Sequence, residues 1–136
     1  MFMKFFYFLV IPVILSYLFV SCEKNIDADV KGKWQIEKLR VGGTIYDYRA
    51  LDYQLNFEND SIVILTLDVN SCLTQYSFKS NNEIEFQNFG CTKICCDNNL
   101  YIILLPEIHN AKKVELDDEF MELKGENTVY LKRLNY

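Results

Sequence analysis

Gln75-Tyr76-Ser77-Phe78-Lys79-Ser80-Asn81-Asn82-Glu83-Ile84-Glu85-Phe86-Gln87 reads as two strands folded back on one another. Tyr76 and Phe78 alternate with Gln75, Ser77 and Lys79, and Ile84 and Phe86 alternate with Glu83, Glu85 and Gln87. Successive side chains of a strand point to opposite faces, so a period of two marks strands with one dry and one wet face. Asn81-Asn82 between them supplies residues that tolerate positive φ, the chemistry of a hairpin turn.

The same period spreads outward along the chain. Trp34 and Ile36 alternate with Lys33, Gln35 and Glu37, and Tyr53, Leu55 and Phe57 alternate with Asp52, Gln54, Asn56 and Glu58. Val114 and Leu116, then Val129 and Leu131, continue it toward the C-terminus. Ile62 to Leu67 is almost continuously apolar, which predicts a central strand covered on both faces. Gly42-Gly43, Glu58-Asn59-Asp60 and Gly125-Glu126-Asn127 punctuate these runs as turns. Seven to nine short strands at this spacing predict a mainly β fold, a strongly curved antiparallel sheet or small barrel. One segment departs from the pattern: Leu100, Ile103, Leu104 and Ile108 have helical spacing after Asp97-Asn98-Asn99, which can cap a short helix. Pro106 is expected to end or kink it.

The first 22 residues are of another kind. Lys4 precedes a run from Phe5 to Val20 that is apolar apart from Tyr7, Pro12, Ser16 and Tyr17, and Ser21-Cys22 follows. A short apolar core behind a cation is an export signal rather than part of a fold. Phe19-Val20-Ser21-Cys22 resembles the lipobox of bacterial lipoproteins, which implies cleavage before Cys22 and lipidation of Cys22. The expected layout is a signal peptide at 1–21, a lipidated tether at 22–31 and one domain at 32–136. Two or more acyl chains anchor a protein stably, whereas one does so marginally.

Removing residues 1–21 takes away one cation, Lys4, and lowers the net charge from −5 to −6. A domain this acidic lacks the clustered Lys and Arg of a nucleic-acid binder, and the lipid must do the anchoring. Four cysteines remain besides Cys22: Cys72, Cys91, Cys95 and Cys96. In an oxidising compartment four thiols commonly form two disulfides, with three possible connectivities. A bond between the adjacent Cys95 and Cys96 would need a strained eight-membered ring. The spacing matches no zinc knuckle and no C-x-x-C redox motif.

In order of features, residues 32–134 resemble a META domain of the HslJ-like family. Gly32-Lys33-Trp34 matches its opening, Cys72 its central cysteine, and Tyr76-Ser77-Phe78 to Ile84-Glu85-Phe86 its aromatic hairpin. Thr92-Lys93-Ile94-Cys95-Cys96 matches its Thr-x-x-x-Cys segment, and Val114-Glu115-Leu116 to Leu123 with Val129-Tyr130-Leu131 its final strands. Asn70-Ser71-Cys72-Leu73 lacks the family's Gly before the cysteine and Asn after it, and Cys91 and Cys95 are additional. The resemblance implies a curved antiparallel sheet with one helix and a Cys72–Cys96 bond tying strand to helix start. Cys91 and Cys95 would then pair or stay reduced; Cys72–Cys95 with Cys91–Cys96 is the alternative. It implies no catalytic residue, cofactor or metal. Gly32-Lys33-Trp34 equally resembles the opening of lipocalin-like barrels, which enclose apolar ligands, although the chain is short for eight long strands plus a helix.

Candidate chemistry elsewhere is sparse. His109 is the single histidine and reads as a surface residue near the negative end of a helix. Ser71 reads as a turn residue and Asp117-Asp118-Glu119 as a solvated turn rather than a cation loop. Tyr46, Tyr48, Tyr53, Tyr76 and Tyr101 could line a binding face or form core and rim. The expectation is a non-enzymatic lipoprotein of a Gram-negative envelope, at the outer membrane. It would be held by its lipid and bind or support another envelope protein. A lipocalin-like carrier of a small apolar ligand is the alternative, and a thiol-dependent redox protein the third class.

Overall fold

The structure, a computed structural model, describes residues 26–80, 82–94 and 96–135. The expected signal peptide at 1–21, Cys22 and Cys95 lie outside the described residues. Ten strands run in one antiparallel sheet: β1 (Gly32–Val41), β2 (Thr44–Asp47), β3 (Gln54–Phe57), β4 (Ile62–Thr66), β5 (Ser71–Ser80), β6 (Glu83–Phe86), β7 (Gly90–Cys91), β8 (Lys113–Leu116), β9 (Phe120–Lys124) and β10 (Thr128–Arg133). Neighbours follow the order β1-β3-β4-β5-β6-β8-β9-β10, and β10 pairs again with β1 from Trp34↔Arg133 to Arg40↔Thr128. The sheet therefore closes into an eight-stranded barrel. β2 is an extra strand on the far half of β1, and β7 continues the line of β6 along β5. Eight strands fit in so short a chain because most span only four to six residues.

Closure explains why alternation is so regular, since every wall strand has one face inside and one outside. Trp34, Ile36, Leu55, Phe57, Val63, Leu65, Tyr76, Ile84, Phe86, Val114, Leu123, Val129 and Leu131 all point inward and are buried. Phe57 meets Tyr76 edge-on at 5.0 Å between ring centroids, a favourable aromatic geometry. A bulge between Ile36 and Lys38 shifts the phase of β1, so that Leu39 also points inward. The β4 expectation is corrected. Val63 and Leu65 face the core, but Ile62 and Ile64 lie half-buried on the outer wall, because a barrel wall has nothing packed outside it.

The two barrel ends are closed differently. At the near end, where β1 begins, a single helical turn, α1 (Ile26–Val30), buries Val30. The Trp34 indole Nε1 donates to the Val30 carbonyl at 2.7 Å, and the Arg133 guanidinium donates to the Asp29 carbonyl at 2.6 Å. Residues 26–31, expected as tether, thus pack on the barrel. At the far end lies α2 (Tyr101–His109), with Leu104 and Ile108 buried. Its start is held by the Tyr48 hydroxyl on the Leu100 carbonyl, and its last residue by His109 Nδ1 against the Gln87 carbonyl. Gly125, in the β9–β10 turn, sits so close to the Asn110 carbonyl that a Cβ there would approach it to 2.7 Å. The helix therefore lies across the mouth like a lid.

Two details of α2 differ from expectation. Pro106 lies inside the helix, which continues to His109. Ile102 and Pro106 are both exposed, so the carbonyl left without a donor faces water at little cost. The helix start carries no side-chain cap. Asn98 Oδ1 accepts the Leu100 N–H at 3.0 Å, two residues before the capping position, and Asp97 is engaged elsewhere.

Candidate functional site

Around the far mouth, the β4–β5 turn (residues 67–70) meets the loop between β7 and α2. Two carboxylates join them. Asp68 Oδ2 accepts from the Tyr53 hydroxyl and the Asn98 N–H, both at 2.9 Å. Asp97 Oδ1 accepts from the N–H groups of Val69 and Asn70 at 2.8 and 3.2 Å. Partial burial pushes the Asp97 carboxyl up, but the bonds from the Asn70 side chain and from the Val69 and Asn70 N–H groups together hold it below the usual range.

Asn70 is the hub. Its Nδ2 donates to the Ile94 carbonyl and to Asp97, while its Oδ1 accepts from the Thr92 hydroxyl at 2.8 Å and the Ile94 N–H at 2.7 Å. Replacing Asn70 with alanine should destabilise the protein by about 1–3 kcal/mol, because a buried side chain that holds the loop after β7 through several hydrogen bonds is lost. A urea titration checks this, and an unchanged midpoint would show that the loop does not depend on Asn70.

Between the turn, β7, the loop and α2 opens a cleft of about 550 Å³. Leu67, Cys72, Phe89, Ile94 and Tyr101 give it an apolar lining, with Asn70, Thr92, Lys93 and Asp97 as its polar part. Ile94 is 58% exposed, so part of that lining is open to water. A second cleft, about 360 Å³, lies where β6 and β8 pair over one residue and is lined by Lys79, Glu83, Glu85, Lys112 and Lys113.

A disulfide between Cys72 and Cys91 lies in the wall of the first cleft. This corrects the expected Cys72–Cys96 bond and the alternative Cys72–Cys95. Cys72 and Cys91 stand opposite one another on β5 and β7, with Cα atoms 4.0 Å apart. That is the narrow pair of an antiparallel ladder, where side chains lie closest. Beyond Thr92 the chain leaves the sheet along the path fixed by Asn70, and Cys96 sits exposed in that loop with φ of 91°.

The remaining sequence candidates fall outside this cleft or into the core. His109 is tied to Gln87 at the helix end, and Ser71 opens β5 rather than forming the turn. Asp117-Asp118-Glu119 forms the exposed β8–β9 turn. Among the described residues no group of three or more His, Cys, Asp or Glu is placed to hold a metal ion. No described helix is long and apolar enough to cross a membrane. Of the five tyrosines, Tyr48, Tyr53 and Tyr76 are buried core residues with tied hydroxyls, and Tyr46 is half-buried. Only Tyr101 lines the cleft.

Those three buried tyrosines carry a pH dependence. Burial pushes the phenols of Tyr48 and Tyr76 up to about 12, and burial with the Asp68 hydrogen bond pushes Tyr53 further. In the unfolded chain a phenol ionises near 10. Their contribution is therefore intact below about pH 10 and is lost as pH rises toward 12, because the unfolded state releases the protons first. Urea midpoints at pH 8, 10 and 11.5 should stay level and then fall. A constant midpoint to pH 11.5 would mean these rings are solvated.

No protein-family model matches the chain, and no curated protein matches it. A solved structure is similar in fold: the NMR structure of the protein from Burkholderia xenovorans. It is 16% identical, with a TM-score of 0.58, over 78% of this chain and 83% of that one. At that identity the likeness concerns the fold alone. Sequence reasoning missed Asn70, Asp68 and Asp97 as the organisers of the cleft. The signal available was the flanking Asp68 and Asn70 before a strand, a pair that reads only as turn composition.

Proposed function

We propose that the chain is a lipid-anchored protein of a Gram-negative envelope, sited at the outer membrane. Its barrel is then a non-catalytic binding module with its ligand face at the far mouth. The observation that carries this is polarity of the fold. The chain enters the barrel at the near end, through α1, while the apolar cleft opens at the opposite end. A lipid on Cys22 would then leave the cleft pointing away from the membrane, toward another envelope component. The META and lipocalin-like resemblances are both compatible with a small barrel of this kind.

A second reading, carriage of a small apolar or amphipathic ligand, is favoured by the lining of Leu67, Phe89 and Tyr101. In that case the ligand belongs in the mouth rather than the barrel axis, where Trp34, Phe57, Leu65 and Phe86 are already packed. A thiol-dependent role cannot draw on Cys72 or Cys91, since these are bonded to one another.

Fractionation of a Cys22→Ser variant tests the anchor: the protein should lose its lipid and leave the membrane fraction. Processing and membrane association like the parent's would refute it. For the cleft, enhancement of the fluorescence of N-phenyl-1-naphthylamine should fall on Ile94→Asp substitution. An undiminished signal would place apolar binding elsewhere.

A further inference from the structure

On the outer wall of β1, β10 and β9, the cation distribution runs against the charge of the whole chain. Lys38 Nζ lies 4.5 Å from the centroid of the Tyr130 ring and the Arg40 guanidinium 5.4 Å from it, so one half-buried ring carries two cations. One register step away, Lys132 Nζ lies 5.8 Å from the ring of Phe120, which is 46% exposed. Among the described residues none of these three cations has a carboxylate within ion-pair distance, although the chain has an excess of acids. The nearby carboxylates are committed: Asp47, opposite Lys38, pairs with Arg49, and Glu122, opposite Tyr130, pairs with Lys124.

We propose that this wall binds a linear acidic polysaccharide, its acidic groups against Lys38 and Arg40, which Tyr130 holds in place, and Lys132, and its C–H surface against the exposed Phe120. An exposed ring beside cations that have no carboxylate partner supplies both contacts that an acidic sugar needs, apolar surface for its C–H groups and charge for its carboxylate or phosphate. The strip is narrow. Acidic residues border it on both sides, Asp47 on β2 and Glu115 with Glu122 on β8 and β9. A plane of anionic headgroups would meet all of those carboxylates at once, whereas a single chain laid over the strip has only Asp47 and Glu122 beside it, and these are engaged by Arg49 and Lys124. Lys38 and Arg40 are two residues apart on β1, a spacing of about 7 Å along a strand, which lets successive charges of such a chain be met in turn.

The test uses the full-length protein in neutral detergent micelles, with calorimetric titration of polygalacturonate at low salt. Neutral dextran, a single-stranded oligonucleotide and an anionic phospholipid doped into the micelle serve as rivals. Binding to polygalacturonate but not dextran, weakening with added salt, is the expected result. Lys38→Glu with Arg40→Glu should weaken it by about tenfold or more, since close charge contacts govern such complexes. Tyr130→Ser and Lys132→Gln should each weaken it less, with thermal unfolding unchanged for the outward-facing Lys132→Gln. Lys79→Glu, on the opposite wall, should have no effect. No binding of polygalacturonate, equal binding by the charge-reversed variant, or stronger binding of the oligonucleotide or phospholipid would each overturn the proposal.

Discussion

Truncating Trp34 to alanine should cost roughly 3–5 kcal/mol, the usual loss for a buried aromatic. Trp34 is fully buried at the near end of the barrel, and it joins three elements there. Its ring packs beneath the Arg133 guanidinium of β10 at 4.2 Å, and its indole N–H ties β1 to α1 through the Val30 carbonyl. The alanine variant loses the burial, the cation contact and a buried hydrogen bond together. Domains of this size have total stabilities of about 5–15 kcal/mol, so the variant should be largely destabilised at moderate denaturant. The urea midpoint measures it. An unchanged midpoint would mean that the near end is not closed by this residue. Trp34→Phe keeps an aromatic ring at the site but loses the N–H and the second ring, and should recover only part of the loss.

The second large effect concerns Cys72 and Cys91. Their bond closes a sequence separation of 19 residues, which on the chain-entropy model contributes about 3 kcal/mol. Cys91→Ser is the informative variant, because Cys91 is exposed whereas Cys72 is buried. It should lower stability under oxidising conditions by about that amount and make the protein indifferent to reductant. Non-reducing peptide mapping should recover a peptide pair joined through Cys72 and Cys91. A Cys72–Cys96 pair would instead give the connectivity that the META resemblance implies, and would require the loop after Thr92 to take another path. Because the bond joins β5 to β7 beside the cleft, its loss should also loosen the Asn70 network that begins at the next strand residues.

Much of this barrel is legible residue by residue. Period two is a local property of the backbone, so Tyr76, Phe78, Ile84 and Phe86 announce a hairpin before any partner is known. Trp34 and Ile36 likewise announce their inward face, and both are buried. The helix is legible from Leu100, Leu104 and Ile108, because four-residue spacing puts them on one side. Its tolerance of Pro106 was not, since that depends on which side of the helix faces water.

What the sequence determined by itself, then, is most of the wall strands with their inward residues, the helix over Tyr101–His109 and an acidic composition, all of which follow from local spacing and residue counts; the short β2 and β7, the α1 turn and the single buried face of β4 did not. The tertiary structure alone decided closure of the sheet through β1 and β10, because it depends on the register of strands about 90 residues apart. It also decided which cysteine meets Cys72. Register brings Cys91 across from it, and no spacing along the chain distinguishes that position from Cys95 or Cys96. The same holds for the cleft: Asp68, Asn70 and Asp97 are ordinary loop residues in sequence. They become an organised site only because the pairing of β7 with β5 brings two loops together at one mouth, where their polar groups satisfy one another.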